Sequence, residues 1–286
     1  MIFSVFLISV LLNSAPAAKA EASLETALSY FETGKYTEAV QTLNAELSQT
    51  PSDPRFHYWL TRSYYELQNH DKAVTHAEQA VKLAPQNAEY NRWLGRAYGA
   101  KAEQSRSFFL ARKVKGAFEA AVRLDPSNIE SRRDLMQYYA EAPWIVGGDK
   151  QKALRQIEAI SALDPLQGRL ARAAYYTTDK QWKQAEAEYI SVLDQHPARI
   201  EPYMEAADFF AGRKDPQHLE QVVKTAENAK ASDPRLNYYR AVALILLGNE
   251  PAVAEQLLKS YIAGVPRRSD YPSHDSAIQW LTRINH

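Results

Sequence analysis

Two tyrosines and four arginines stand out by type and spacing. Tyr58, Arg62 and Tyr65 recur at i, i+4 and i+7, and Arg92 and Arg96 at i and i+4, so each set shares one helix face. Arg133 extends the series. A guanidinium presents a planar fork of donors that grips a carboxylate through two hydrogen bonds, and tyrosine adds flat contact area at low entropy cost. That chemistry is recognition of an acidic peptide or a free C-terminal carboxylate. The competing reading pairs these arginines with Glu66, Glu89, Glu130 or Glu141 on the same surface, where such pairs contribute about 0–1 kcal/mol.

No constellation for bond-breaking chemistry accompanies them. The histidines are His57, His70, His76, His196, His218, His274 and His286, and no two have the H-E-x-x-H spacing of a zinc site. His196 precedes a proline and His70 lies in a polar turn, so both read as solvated turn residues. There is no G-x-S-x-G, no glycine-rich loop ending in Lys-Ser/Thr and no G-x-G-x-x-G. With no cysteine, disulfides, thiolate catalysis and Cys-ligated metal centres are excluded. The expectation is a protein without catalytic activity, cofactor or metal. A formal net charge of zero argues against nucleic acid as partner, because no basic excess drives counterion release.

The elements that position the arginines come from a period of 34. Trp59, Leu60 and Tyr64 recur 34 residues later as Trp93, Leu94 and Tyr98, and Ala73 and Pro85 match Ala39 and Pro51. Phe118, Ala121 and Pro126 close a third repeat seven residues late, and Leu135, Tyr139, Ala153 and Pro165 mark a fourth with five extra residues. Ala185 and Pro197 close a fifth. A sixth runs through Phe209, Phe210 and Ala226, with Leu219 where a small residue is expected. A seventh spans 238–262, and Ser276–Ile284 reads as a last helix. Each repeat carries two apolar stripes at helical spacing around a polar turn. Small residues let the two helices approach closely, and the proline stops the second. Such a pair cannot bury its apolar face alone, so stacked neighbours must.

The Trp/Leu/Tyr set of the first helices and the Ala/Phe-or-Leu/Ala/Pro set of the second resemble the tetratricopeptide repeat family over about residues 21–265. The long third repeat, GAFEAAVRLDP, followed by DLMQYYAEAPWIVGGDKQKA, is similar to a bacterial exported subgroup of it. The resemblance implies an all-α, tetratricopeptide-type α-solenoid, a right-handed superhelix of helix-turn-helix units, here with a C-terminal capping helix. It implies a concave groove lined by the first helices, and binding of a peptide or protein partner without catalysis. Tyr58, Arg62, Tyr65, Arg92, Arg96 and Arg133 then face the groove. The Lys/Asn pattern of the family's carboxylate-clamp domains is absent, so their chaperone ligands are not implied. In repeats five to seven the corresponding stripe reads Leu170, Ala174, Thr177, Met204, Asp208, Tyr238, Val242 and Ile245. That apolar end is able to dock a helix or join a homo-oligomer, but the favoured reading is that the last helix covers it, with Trp280 as lid.

Two insertions carry apolar residues. In APWIVGGDKQKA, Pro143 ends a helix, Gly147 and Gly148 permit positive φ, and Asp149 is a suitable N-cap. The loop lacks the Lys-Ser/Thr of a phosphate cradle. Trp144, Ile145 and Val146 are expected to pack back on the long third repeat; the alternative is an exposed anchor centred on Trp144. In RSFFLARKVKGAF (106–118), Phe108 and Phe109 are likewise expected to pack against repeat four, with contact to a membrane surface the lesser alternative.

The first residues form a separate segment. An apolar run, Ile2–Leu12, followed by Ala18-Lys19-Ala20, predicts a signal peptide over 1–20 with cleavage after Ala20. One repeat domain is then expected over 21–286, with insertions near 100–113 and 142–149, in an exported and periplasmic protein. The function expected is an interaction or scaffold module of the cell envelope. The alternatives are a homo-oligomer joined through the apolar C-terminal half, or the regulatory subunit of an envelope enzyme.

Overall fold

In the computed structural model the described residues, 6–229 and 233–284, form fifteen α-helices, one 3-10 turn and no strand. Side chains are described from residue 18 onward. The chain divides into two compact units, Met1–Asp134 and Leu135–His286. The first holds α1 (Phe6–Glu32), α2 (Tyr36–Leu47), α3 (Pro54–Glu66), α4 (His70–Leu83), α5 (Ala88–Ser105), α6 (Phe108–Leu124) and the start of α7 (Ile129–Glu141). The second holds the rest of α7, the 3-10 turn (Trp144–Val146), α8 (Lys150–Leu163), α9 (Pro165–Thr178), α10 (Trp182–Leu193), α11 (Glu201–Arg213), α12 (Pro216–Asn228), α13 (Arg235–Leu247), α14 (Pro251–Gly264) and α15 (His274–Ile284). The expected all-α solenoid architecture is present, as successive helix pairs followed by one last helix.

All repeats but the sixth close on small residues. Ala39, Ala73, Ala153, Ala185 and Ala254 are fully buried at equivalent places on the second helices, as is Leu219 in the sixth repeat. In the third, Gly95 of α5 lies so close to α6 that an added Cβ would stand 2.4 Å from the Phe118 ring. From α1 to α6, and again from α8 to α15, each helix packs on the next in sequence. First helices also touch across repeats, α1 on α3 on α5 and α9 on α11 on α13 on α15. The first helices therefore form a continuous layer within each unit, which is what places their outward stripe on one surface.

The turns repeat as well. Gly34, Gln68, Arg106, Gly147, Lys180, Lys214 and Gly248 each adopt positive φ between the two helices of a repeat. In six of these turns the next amide donates back into the end of the first helix, as from Asn69 to the Tyr64 carbonyl at 2.9 Å and from Gln181 to that of Tyr176 at 2.8 Å. This is the Schellman closure, which normally recruits glycine. Where a side chain occupies the site, the left-handed conformation costs about 1 kcal/mol, and repeat packing offsets it.

The insertions differ from expectation. Pro143 does end α7, and Asp149 caps α8 by accepting from the Gln151 and Lys152 amides. The intervening residues form a 3-10 turn held by the Tyr138 hydroxyl, which donates to the Val146 carbonyl at 2.7 Å. Side chains on such a turn diverge by about 120°, so one of three can point inward. Val146 does so at 4% exposure, while Trp144 at 84% and Ile145 at 53% face solvent. The expected inward packing of Trp144 and Ile145 is thus corrected. Gly147 has φ 107°, as anticipated, but Gly148 is needed for space, since its Cβ would lie 1.7 Å from the Ala142 carbonyl oxygen. In the third repeat the insertion lengthens both helices, to 18 and 17 residues, and leaves Phe108 and Phe109 exposed instead of packed. They occupy the first turn of α6 directly after the Ser107 N-cap, at the hairpin tip.

At the C-terminal end the last helix acts as the expected cap. Ala277 is fully buried, Trp280 packs on the core, and the Tyr238 hydroxyl and Ser276 Oγ share a 2.8 Å hydrogen bond. Leu170, Met204, Tyr238 and Val242, read from sequence as an apolar groove, are buried core residues of this unit. At the other end, α1 runs unbroken past the expected cleavage position, with Ala20 buried. Of the expected leader, residues 1–5 lie outside the described residues, and 6–17 are described only as backbone. Trp144→Ala should leave stability within about 0.5 kcal/mol of the parent, because its ring is solvated. Val146→Ala should cost about 1–2 kcal/mol, the transfer cost of two buried methyl groups. Urea melts of the two variants check both values.

Candidate functional site

The N-terminal unit gathers the arginine and tyrosine residues on α3, α5 and the start of α7. Arg62 of α3 is half-buried among four rings. Its guanidinium carbon lies 4.5 Å from the Trp59 centroid, 4.7 Å from Phe31, 4.9 Å from Trp93 and 5.7 Å from Tyr58. The rings brace one another, with Phe31 edge-on to Trp59 at 5.3 Å and Tyr65 edge-on to Trp93 at 5.6 Å. Each face attracts the cation through its quadrupole. Nη1 donates to the Tyr58 hydroxyl at 3.4 Å, while Nε is buried with no acceptor. Among the described residues no carboxylate reaches Arg62.

Arg92 and Arg96 of α5 are in the opposite condition. Asp134 of α7 accepts from Arg92 Nε at 2.8 Å and from Arg96 Nε and Nη2 at 2.8 and 2.9 Å. Arg92 also pairs with Glu89 and Glu130, each at 3.3 Å. Glu89 is tied in further, accepting from Trp93 Nε1 at 2.9 Å and from the Tyr58 hydroxyl at 3.2 Å. Burial opposes the Arg96 charge, but the Asp134 hydrogen bonds outweigh it and move its pKa up. Burial pushes the Tyr58 hydroxyl up to about 12 and raises that of Tyr65, so both stay neutral donors. For Arg92 and Arg96 the competing reading, ion pairs on the same surface, describes the fold: both are neutralised within it. Glu89 and Glu130 were foreseen as partners. Asp134 was not, although its position beside Arg133 was a signal. Arg133 is half-buried on α7, and Trp144 belongs to the C-terminal unit.

Behind this surface, His57 of α3 and His76 of α4 bring their Nδ1 atoms to 3.0 Å, and His76 stacks on Tyr64 at 5.5 Å. One nitrogen must donate and the other accept, so the pair excludes double protonation. Burial, then the neighbouring His57 and Lys72, pushes His76 down to about 4, and burial lowers His57 despite the Pro51 carbonyl and Asp53. His70, expected to be solvated, is buried at the start of α4, edge-on to Tyr65 at 6.0 Å. Among the described residues no three His, Cys, Asp or Glu side chains form a metal-sized cluster.

Helix pairs closed by small residues and stacked on their neighbours agree with comparison to known proteins. The family model described as tetratricopeptide repeat matches residues 60–129, and that of anaphase-promoting complex, cyclosome, subunit 3 matches residues 4–80. A tetratricopeptide repeat protein from Parabacteroides merdae superposes with a TM-score of 0.57 at 13% identity, covering 93% of this chain and 99% of that one. A thermophilic tetratricopeptide repeat protein of Thermus thermophilus does so at 0.53 and 20% identity, covering 72% and 98%. The chain is a tetratricopeptide repeat protein. No curated protein matches it.

In this tetratricopeptide repeat protein the first-helix layer therefore holds one guanidinium in an aromatic box, beside two that are locked to acids. Trp59 and Trp93, read from sequence as framework, are walls of that box together with Phe31 of α1. Their dual role is invisible in the period, which fixes that they are apolar and not which edge they show.

Two outcomes follow for this tetratricopeptide repeat protein. Asp134→Ala strips Arg92 and Arg96 of their shared acceptor and should cost on the order of 2–3 kcal/mol, read from urea melts. The histidine pair carries a pH signature. With folded pKa values below the unfolded value near 6.5, its contribution is complete above that pH and is lost as pH falls towards about 4. The melting temperature should therefore drop between pH 7 and 4.5, and the drop should be smaller in His76→Gln.

Proposed function

We propose that the protein is a non-catalytic interaction module whose N-terminal unit captures an acidic or C-terminal carboxylate of a partner segment on Arg62. The tetratricopeptide fold supports a protein-binding or scaffold role in general. The finer reading rests on one observation, the Arg62 guanidinium held in four rings without a carboxylate partner among the described residues. An incoming carboxylate would accept from the terminal Nη groups while its neighbouring side chains lie on Tyr58 and Tyr65. Arg92, Arg96 and Asp134 form the rigid floor beside it; Arg133 stands on the neighbouring helix and extends the surface that a longer segment would cross. The apolar run Ile2–Leu12 and Ala18-Lys19-Ala20 support the further proposal of export to the periplasm, where the partner would be a component of the cell envelope.

The test uses a photoreactive residue at Tyr65 to trap the partner in cells, followed by binding of the trapped segment as a synthetic peptide. Arg62→Ala should weaken that peptide about 10- to 100-fold, the range for a charge-assisted pair that is partly desolvated. Arg62→Lys should recover little, since an ammonium lacks the planar fork. Amidation of the peptide's terminal carboxylate separates the C-terminal source from an internal acid. Equal affinity of the parent and Arg62→Ala sinks the proposal.

A further inference from the structure

We propose that the tip of the α5–α6 hairpin is a second, separate binding surface, which docks onto an anionic lipid bilayer. The segment Arg106–Gly116 carries four basic residues and no acidic one, in a chain whose formal net charge is zero. Phe108 and Phe109 lead α6 and are 66% and 69% exposed. On a helix, residues four apart share a face. Phe108 is therefore backed by Arg112 and Phe109 by Lys113, each one turn further from the tip. Lys113 confirms the register, its Nζ lying 5.2 Å over the Phe109 ring. The result is an apolar point with a cationic collar set back by about 5 Å, one helical pitch. Interfacial segments bury apolar side chains about 5–10 Å into the boundary between headgroups and acyl chains, and their cations then meet the headgroup phosphates.

Two further observations favour a bilayer over a protein pocket. The rings sit exposed at the hairpin tip, where α5 is five residues longer than α3 (18 against 13), an extension of about 7 Å. Arg106 and Arg112 meet no acidic side chain among the described residues, so their charge is available to headgroups; Lys113 is shared with Glu78 at 3.5 Å. Long basic side chains also bury their stems while keeping the charge in water, which suits a collar at this depth. Two exposed aromatic rings and a basic patch together supply the two signals that a reversible membrane contact needs.

The experiment uses the full chain and vesicles of phosphatidylcholine with or without phosphatidylglycerol. Because the chain has no cysteine, Phe109→Cys carrying an environment-sensitive nitrobenzoxadiazole dye reports on the tip alone. Its emission should rise and shift to the blue with the phosphatidylglycerol vesicles, and stay unchanged with phosphatidylcholine. In sedimentation, Phe108→Ser with Phe109→Ser should lower partitioning onto the anionic vesicles about tenfold or more, and Arg106→Gln with Arg112→Gln should lower it and flatten its salt dependence. Circular dichroism of these surface variants checks the fold. An unchanged dye signal on anionic vesicles overturns the proposal and leaves the tip as a protein contact; equal partitioning of the phenylalanine variant also overturns it. Loss of peptide binding by Arg62→Ala has no bearing on either readout, so the two proposals fail separately.

Discussion

Close approach of two helices at a small residue is the contact on which everything else rests. Ala39, Ala73, Ala153, Ala185 and Ala254 have no accessible surface, and each is the fourth residue of the second helix of its repeat. Interiors are packed as densely as organic crystals, so a longer side chain at such a contact forces a shift of one helix. The sixth repeat shows the accommodation, with Leu219 fully buried in place of alanine. Tight pairing sets the orientation of each repeat, and that orientation carries the first helices of each unit into one layer. Without the layer, residues on α3, α5 and α7 would share no surface.

On that layer, neighbouring charges decide what each arginine can do. Asp134 is nearly buried and satisfies two guanidinium groups at once, with Glu89 and Glu130 completing the shell around Arg92. Such a network is a piece of scaffold, because its paired charges are costly to separate. Arg62, on the neighbouring first helix, sits under different rules. Aromatic faces hold its charge in place but satisfy none of its hydrogen bonds, and its Nε is left without an acceptor. In the proposed function, a cation restrained by quadrupoles and unpaired by acids would be oriented in advance for a carboxylate, which lowers the ordering cost of binding.

Both insertions in the repeat frame end with large apolar side chains in solvent. The third repeat extends its helices and places Phe108 and Phe109 in the first turn beyond the Ser107 cap. The fourth inserts a 3-10 turn whose single inward residue, Val146, anchors it while Trp144 and Ile145 face outward. Repeat packing tolerates such growth because the added chain lies at a turn, clear of the crossings, and surface loops are where binding residues accumulate. The difference between the two is electrostatic. The segment of the phenylalanines, Arg106–Gly116, carries four basic residues and no acidic one, whereas Trp144–Lys152 carries two lysines and Asp149.

The period of 34 determined by itself the helical class, the paired repeats, the buried alanines and the closing helix, because each depends on local spacing and on which residues are small or apolar. It also placed Tyr58, Arg62, Tyr65, Arg92, Arg96 and Arg133 on first helices. Only tertiary structure decided which of them remain available. Asp134 reaches Arg96 across 38 residues and Phe31 reaches Arg62 across 31, and no local pattern encodes either separation. The positive-φ turns at Gln68, Arg106, Lys180 and Lys214 were hidden for a related reason: packing imposes that conformation on side chains that do not prefer it. Trp144 was misjudged because hydrophobicity says that a side chain gains from burial, whereas the direction it points is set by the geometry of a three-residue turn. Local chemistry thus specifies elements and faces, and the distances between elements specify charge state and exposure.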